Sequence, residues 1–232
     1  SRLAGLNPSA VICEIMKDDG TMARYPDLVQ FSKDHDLRLI TIADLIQYRL
    51  ARERLVTRIR QTPVKIPTGK TWTASVYQVQ VGPDDQFMAL SYGDITTEPT
   101  LVRVHRGSVL GDAFQVRMRQ RVHISDVVAA IEREGNGVIL FLPGHPDPDT
   151  DLAFYLDEPI QRPPEEPGMV LREYGFGAQV LAHLGLERLR VLTNRPRRIP
   201  SLDAYGLNVV EQLGVAPGGE LTPAGPVQQD RP

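Results

Sequence analysis

The stretch TASVYQVQV, Thr73–Val81, decides the architecture. Polar and apolar residues alternate through most of it, with Gln78 and Gln80 set between Tyr77, Val79 and Val81. A period of two sends one set of side chains to a core and the other to water, the signature of a half-exposed β-strand. Val56-Thr57-Arg58-Ile59-Arg60 alternates in the same way. Before it the texture differs: Leu45, Ile46, Leu50 and Leu55 recur at helical spacing from Ile42 onward, with charges between them. The switch from one period to the other predicts a domain boundary near residues 55–62.

Upstream, the short apolar run Ala10 to Met16 reads as a buried strand. Pro26-Asp27 opens a helix with Asp27 as its cap, and Arg38 to Ile42 reads as a second strand. Strand, helix, strand, helix is an α/β unit. Downstream, Gly82-Pro83-Asp84-Asp85 marks a turn, and Phe87 to Tyr92 and Leu101 to His105 supply two strands. Ser125 can cap a helix through Val127, Val128, Ile131 and Glu134, stopped by Gly135 or Gly137. Val138-Ile139-Leu140-Phe141-Leu142 has the unbroken apolar character of a buried parallel strand. Pro143 to Gly168 is dense in proline and acids and is expected to be a loop. A helix over Tyr174 to Leu184, a strand over Leu189 to Leu192, and a short helix and final strand between Ile199 and Val215 complete the fold. The Pro/Gly/Gln-rich tail, residues 216–232, is expected to be disordered. The class is mixed α/β (α+β).

Composition narrows the function. A chain of 232 residues holds one large domain or two small ones. Its net charge of -3 leaves no electrostatic footprint for nucleic acid, and no basic run suggests an anionic membrane. Cys13 is the one cysteine, so an internal disulfide and a cysteine-rich zinc site are both excluded, and a reducing, cytoplasmic setting is expected. No apolar stretch approaches the roughly 20 residues that span a bilayer. The sequence runs at once into dense apolar and charged residues from Ser1, which reads as the middle of a domain.

Glu14 stands out because it interrupts the apolar run Ala10 to Met16. On composition it is a carboxylate at a strand end with a satisfied hydrogen bond, or one facing water; a buried acid needs a stated reason. Asp18-Asp19-Gly20 is a turn on the same grounds.

The surroundings of Glu14 supply such a reason. Residues 1–49, with Cys13-Glu14-Ile15-Met16, Asp18-Asp19-Gly20-Thr21-Met22-Ala23-Arg24 and the closing Thr41-Ile42-Ala43-Asp44-Leu45-Ile46-Gln47-Tyr48-Arg49, resemble the C-terminal part of 3,4-dihydroxy-2-butanone 4-phosphate synthase. Residues from about 65 to 215 resemble GTP cyclohydrolase II less faithfully, through MALSYGDITTEPTLVRVH, GDAF, REYGFGAQVLAHLG and VLTNRPRRIPSLDAYGLNVVE. Together they look like the fused riboflavin-biosynthesis enzymes. The resemblance implies a synthase-like piece at residues 1–58, a degenerate cyclohydrolase-like domain at 62–215 and the tail at 216–232. It also implies a lyase acting on ribulose 5-phosphate with magnesium or manganese, and a homodimer. Glu14 matches the family glutamate that contacts the sugar and is needed for catalysis; the family's metal ligands are expected upstream of Ser1. Lys17 departs from the family's asparagine.

The cyclohydrolase pattern departs further. Three cysteines bind zinc in that family, and the first stands where this chain has Ser108; ungapped alignment puts Arg119 and Arg121 at the other two. Serine and two arginines do not make a soft zinc site, so zinc is not expected. His105 and His123 are read as ordinary packing or surface histidines. His145, Asp147, Asp149 and Asp151 could be read as a metal cluster, but a solvated acidic loop is preferred. The family's E-G-R phosphate segment has no counterpart, and its D-x-R pair aligns with Val170-Leu171-Arg172, which keeps only the arginine. Arg103, Arg172, Thr193 and Arg198 remain as vestiges of a nucleotide site, with Arg195 and Arg197 beside them. The expectation is a synthase in the intact protein with a second domain that has lost its zinc and GTP chemistry. The alternative is a non-catalytic nucleotide-binding, regulatory or dimerisation module.

Overall fold

The computed structural model describes residues 1–81, 85–97, 99–118, 121–142, 148–158, 167–196 and 202–224, excluding the side chains of 167–171. It is mixed α/β, and the chain divides into two compact units, Ser1–Leu45 and Ile46–Pro232.

The first unit holds helix α1, Tyr25–Asp34, and the start of α2, Ile42–Arg52. Pro26 sits in the first turn of α1, where its missing N–H costs nothing. Asp27 is not the cap itself: it lies inside the helix and accepts the Arg24 backbone N–H at 2.8 Å. Thr41 and Asp44 close the start of α2 reciprocally, with Asp44 N–H donating to Thr41 Oγ1 and Thr41 N–H to Asp44, both at 3.0 Å.

Neither expected strand of this unit forms. Residues 10–15 and 37–41 lie outside regular structure, and Val11 and Ile12 are 99% and 92% exposed. An apolar run becomes a strand only when a neighbour takes up its backbone N–H and C=O groups. Among the described residues the only pairing there is the isolated bridge Met16–Met22. Between those methionines Asp19 accepts the Thr21 N–H and hydroxyl, and Gly20 adopts φ 81°, so Asp18-Asp19-Gly20 forms the expected turn.

The second unit is built on one sheet of eight strands in the order β1-β2-β3-β5-β4-β6-β7-β8. These are β1 Val56–Lys65, β2 Thr71–Val79, β3 Gln86–Tyr92, β4 Thr100–His105, β5 Gly137–Phe141, β6 Arg188–Leu192, β7 Asn208–Val215 and β8 Leu221–Pro223. β1, β2, β3 and β5 pair antiparallel; β5, β4, β6 and β7 run parallel; β8 returns antiparallel on β7.

Side-chain alternation divides the core between the two faces. Val102, Val138 and Leu140 join the cluster under α5, Pro167–His183, with Phe176, Val180 and Leu181. Leu101 and Ile139, the intervening residues, join the cluster under α3, Ile124–Glu134, with Val127, Ala130 and Ile131. The last three are spaced i, i+3, i+4, one face of a helix. His123, not Ser125, is the N-cap of α3, and Gly135 ends it at φ 92°.

Two expectations fail in the C-terminal half. The Pro/Asp-rich segment contains a helix, α4, Pro148–Leu156. Proline is suited to the first helical position, and Asp149 and Asp151 in the first turn face the positive end of the helix dipole. Residues 221–223 of the tail form β8 rather than a disordered end; residues 225–232 lie outside the described part, as does most of the expected turn at 82–85.

Candidate functional site

The parallel strands β4 and β6 end side by side, and ligand sites of open α/β sheets form at such C-terminal strand ends. β4 delivers Arg103 and His105 there, and the chain leaving it carries Ser108 into a π-helical turn, Val109–Ala113. β6 delivers Thr193. Arg103 donates through Nη1 to the Leu192 carbonyl at 2.9 Å, so it bridges the two strand ends. Its Nε is buried with no partner. Burial, and then the nearby Arg121 charge, lower the guanidinium to about 10, partly offset by Asp112; it remains a cation at neutral pH.

His105 is 2% exposed. Its Nε2 lies 2.9 Å from Asp112, its Nδ1 is buried and unpaired, and its ring lies against Phe141. Asp112 also accepts the Ser108 N–H at 2.8 Å. Burial raises the Asp112 pKa, but the His105 hydrogen bond and charge, the Ser108 amide and Arg121 outweigh it, leaving the carboxyl below its ordinary range. His123 is buried as well, at the head of α3. Both histidines are packing residues.

Asp151 is the principal surprise. It is 2% exposed, not part of a solvated loop. Ser108 Oγ–H donates to it at 2.9 Å, the Leu110 N–H donates at 3.1 Å, and Arg121 forms an ion pair with it. Arg121 and Arg195 each lie over the Phe154 ring of α4, at 5.5 and 5.4 Å from its centroid. Asp149 is exposed; His145 and Asp147 lie outside the described residues.

The other expected positions scatter. Thr193 uses its hydroxyl on its own turn, accepting the Arg195 N–H and donating to the Arg195 carbonyl, both at 3.1 Å. Arg172 is exposed on α5, while its neighbour Glu173 is bonded to Arg106. Arg119, Arg197 and Arg198 lie outside the described residues. Glu14, in the other unit, is exposed and makes no hydrogen bond within the described chain.

These donors do not fit zinc. The Ser108 hydroxyl and Arg121 are committed to Asp151, and His105 to Asp112. Among the described residues no group of three or more His, Cys, Asp or Glu side chains could hold a metal ion. Sequence reasoning marked Ser108 and Arg121 as replacements but missed that one carboxylate joins them. The only available signal was Asp151 itself, in a segment that reads as polar loop.

Comparison with known proteins agrees with the two resemblances. Residues 1–48 match the model of 3,4-dihydroxy-2-butanone 4-phosphate synthase. The riboflavin biosynthesis protein RibBA of Aquifex aeolicus is 40% identical over 232 residues, covering 93% of this chain and 55% of that protein. RibBA of Bacillus cereus (strain ATCC 10987) is 42% identical over 225 residues, covering 92% and 56%. The chain thus spans about half the length of the curated relatives it matches. Among solved structures, RibBX from A. baumannii, described as a two domain 3,4-dihydroxy-2-butanone 4-phosphate synthase, superposes with a TM-score of 0.62 at 29% identity, covering 93% of this chain and 56% of that one. Strands β2 to β6 and the strand-end site lie within residues 57–214, which match the GTP cyclohydrolase II model, and the chain belongs to that family.

Proposed function

We propose that the intact protein serves riboflavin biosynthesis as a 3,4-dihydroxy-2-butanone 4-phosphate synthase, converting ribulose 5-phosphate to the butanone phosphate and formate. Residues 1–58 would be the C-terminal piece of the synthase domain. Residues 62–215 would be a cyclohydrolase-derived domain without zinc or GTP chemistry, followed by the tail at 216–232. A cytoplasmic homodimer fits this reading; among the described residues no helix is long and apolar enough to cross a membrane.

The observation that carries the proposal is the state of Glu14. It sits in the segment most faithful to the synthase pattern, and its carboxylate is exposed and uncommitted. A free carboxylate can accept a sugar hydroxyl and move a proton at a carbon beside a carbonyl. Glu14 is a lone carboxylate among the described residues and does not by itself make a site for the family's magnesium or manganese. The test uses the full-length protein with ribulose 5-phosphate and magnesium. Formate is expected, and Glu14→Gln should slow its release by ~10²-fold or more. Absence of formate from the unaltered protein would sink the reading.

One observation favours a second reading, a nucleotide-binding module. The buried, unpartnered Nε of Arg103 lies on the strand end that also brings Thr193, with Arg195 close by in sequence. Arg172 stands exposed on α5 and Arg198 lies outside the described residues, so this reading rests on Arg103. Calorimetry with GTP and related nucleotides separates the readings: heat that disappears in Arg103→Met supports binding, and no heat with any nucleotide leaves a scaffold.

A further inference from the structure

The two described residues at the zinc-cysteine positions, Ser108 and Arg121, lie 13 residues apart in sequence yet meet on one carboxylate. We propose that the Ser108–Asp151–Arg121 cluster is a metal-free tether: in the cyclohydrolase pattern's metal position, protein atoms alone tie the loop after β4 to α4.

The geometry is that of an anchor. Asp151 takes a hydroxyl from Ser108, a backbone N–H from Leu110 and the guanidinium of Arg121. Arg121 donates through Nη2 to the Arg106 and Gly107 carbonyls, both at 3.0 Å. Ser108 Oγ in turn accepts the Gly111 N–H at 2.9 Å. One buried acid and one half-buried base therefore satisfy loop groups that regular structure does not reach. A carboxylate 2% exposed persists only when its charge is matched and its lone pairs are filled, and both conditions hold. Arg121 also lies over Phe154, one turn along α4 from Asp151, so the base grips the same helix twice. Thiolates around a metal would join distant loop segments by bonds to a common centre; here a carboxylate from α4 is that centre. α4 is thus an essential part of the loop's conformation, and the loop should fold at any metal concentration.

Amide hydrogen exchange over residues 106–113, followed by mass spectrometry on the purified full chain, tests the tether. Asp151→Asn leaves the Arg121 charge unmatched and should speed exchange there on the order of a hundredfold. Ser108→Ala removes only the hydroxyl and should speed it on the order of tenfold or less, which keeps the test open if Asp151→Asn does not fold. Glu132→Gln, which weakens the pair between Glu132 of α3 and Lys70 of the β1–β2 turn, should leave these amides unchanged. A strong chelator should have no effect on the unaltered protein. The tether is overturned if both cluster variants exchange at the normal rate. It is equally overturned if the purified protein carries stoichiometric zinc whose removal releases the loop.

Discussion

At the scale of single residues, polar side chains hold this fold where strands and helices stop. Gln179 on α5 is the clearest case. Buried at 8% exposure, it accepts the Leu55 N–H at 2.8 Å and donates to the Leu50 and Glu53 carbonyls at 2.7 and 2.8 Å. These groups lie where α2 ends and β1 begins, so one amide satisfies a helix terminus that would otherwise be buried unpaired. Gln179→Leu preserves bulk but strands two carbonyls and an N–H. A loss of about 2–4 kcal/mol is expected in urea unfolding, since each buried orphan costs about 1–3 kcal/mol and relaxation or water recovers part. Less than about 0.5 kcal/mol would show that water replaces the amide readily. Gly175, one turn earlier, serves the same junction by absence: a Cβ there would stand 2.5 Å from Leu50 Cδ1.

At the scale of elements, the sequence revealed what depends on neighbours in the chain and concealed what depends on neighbours in space. Alternation in Thr73–Val81 and the apolar run Val138–Leu142 marked β2 and β5 within a few residues, because period and burial are local properties. The same logic misread Ala10–Met16 and Arg38–Ile42, because a strand also needs a partner strand, which no local pattern supplies. α4 was hidden because proline and clustered acids read as breakers, although both are favoured in a first helical turn. β8 was hidden in a Pro/Gly-rich tail; it is three residues long and exists by pairing with β7. The candidate site divides likewise. Motifs fix Arg103 and Thr193 to strand ends, so their positions were legible, whereas His105 read only as a packing or surface histidine. The role of Asp151 could not be found, because Ser108 lies 43 residues away and only the fold brings them together.

At the scale of the whole chain, ionised carboxylates link separate parts of the structure, which makes stability depend on acid. Asp126 on α3 accepts from Arg117 and from the Gly218 N–H beyond β7, so it joins a loop to the C-terminal hairpin. Burial raises its pKa, but the Arg117 hydrogen bond, the Gly218 amide and the charges of Arg117 and His123 bring it below the ordinary value. Glu132 is likewise lowered: burial opposes, while Thr68, Trp72 and Lys70 prevail. Asp112 behaves in the same way at the site. A carboxyl whose folded pKa lies below its unfolded value binds protons more readily when unfolded. Its contribution is therefore complete above the unfolded value, about 4, and is lost as pH falls through the lower folded value. Thermal midpoints of the second unit should accordingly hold near neutrality and fall steadily from about pH 5 downward, as these contributions disappear. Asp126→Asn should lower the midpoint at pH 7 but flatten the acid slope, because a group that no longer titrates cannot contribute to it. A slope equal to that of the unaltered protein would show that Asp126 does not carry this linkage, and an acid-insensitive midpoint would show the same for all three carboxylates.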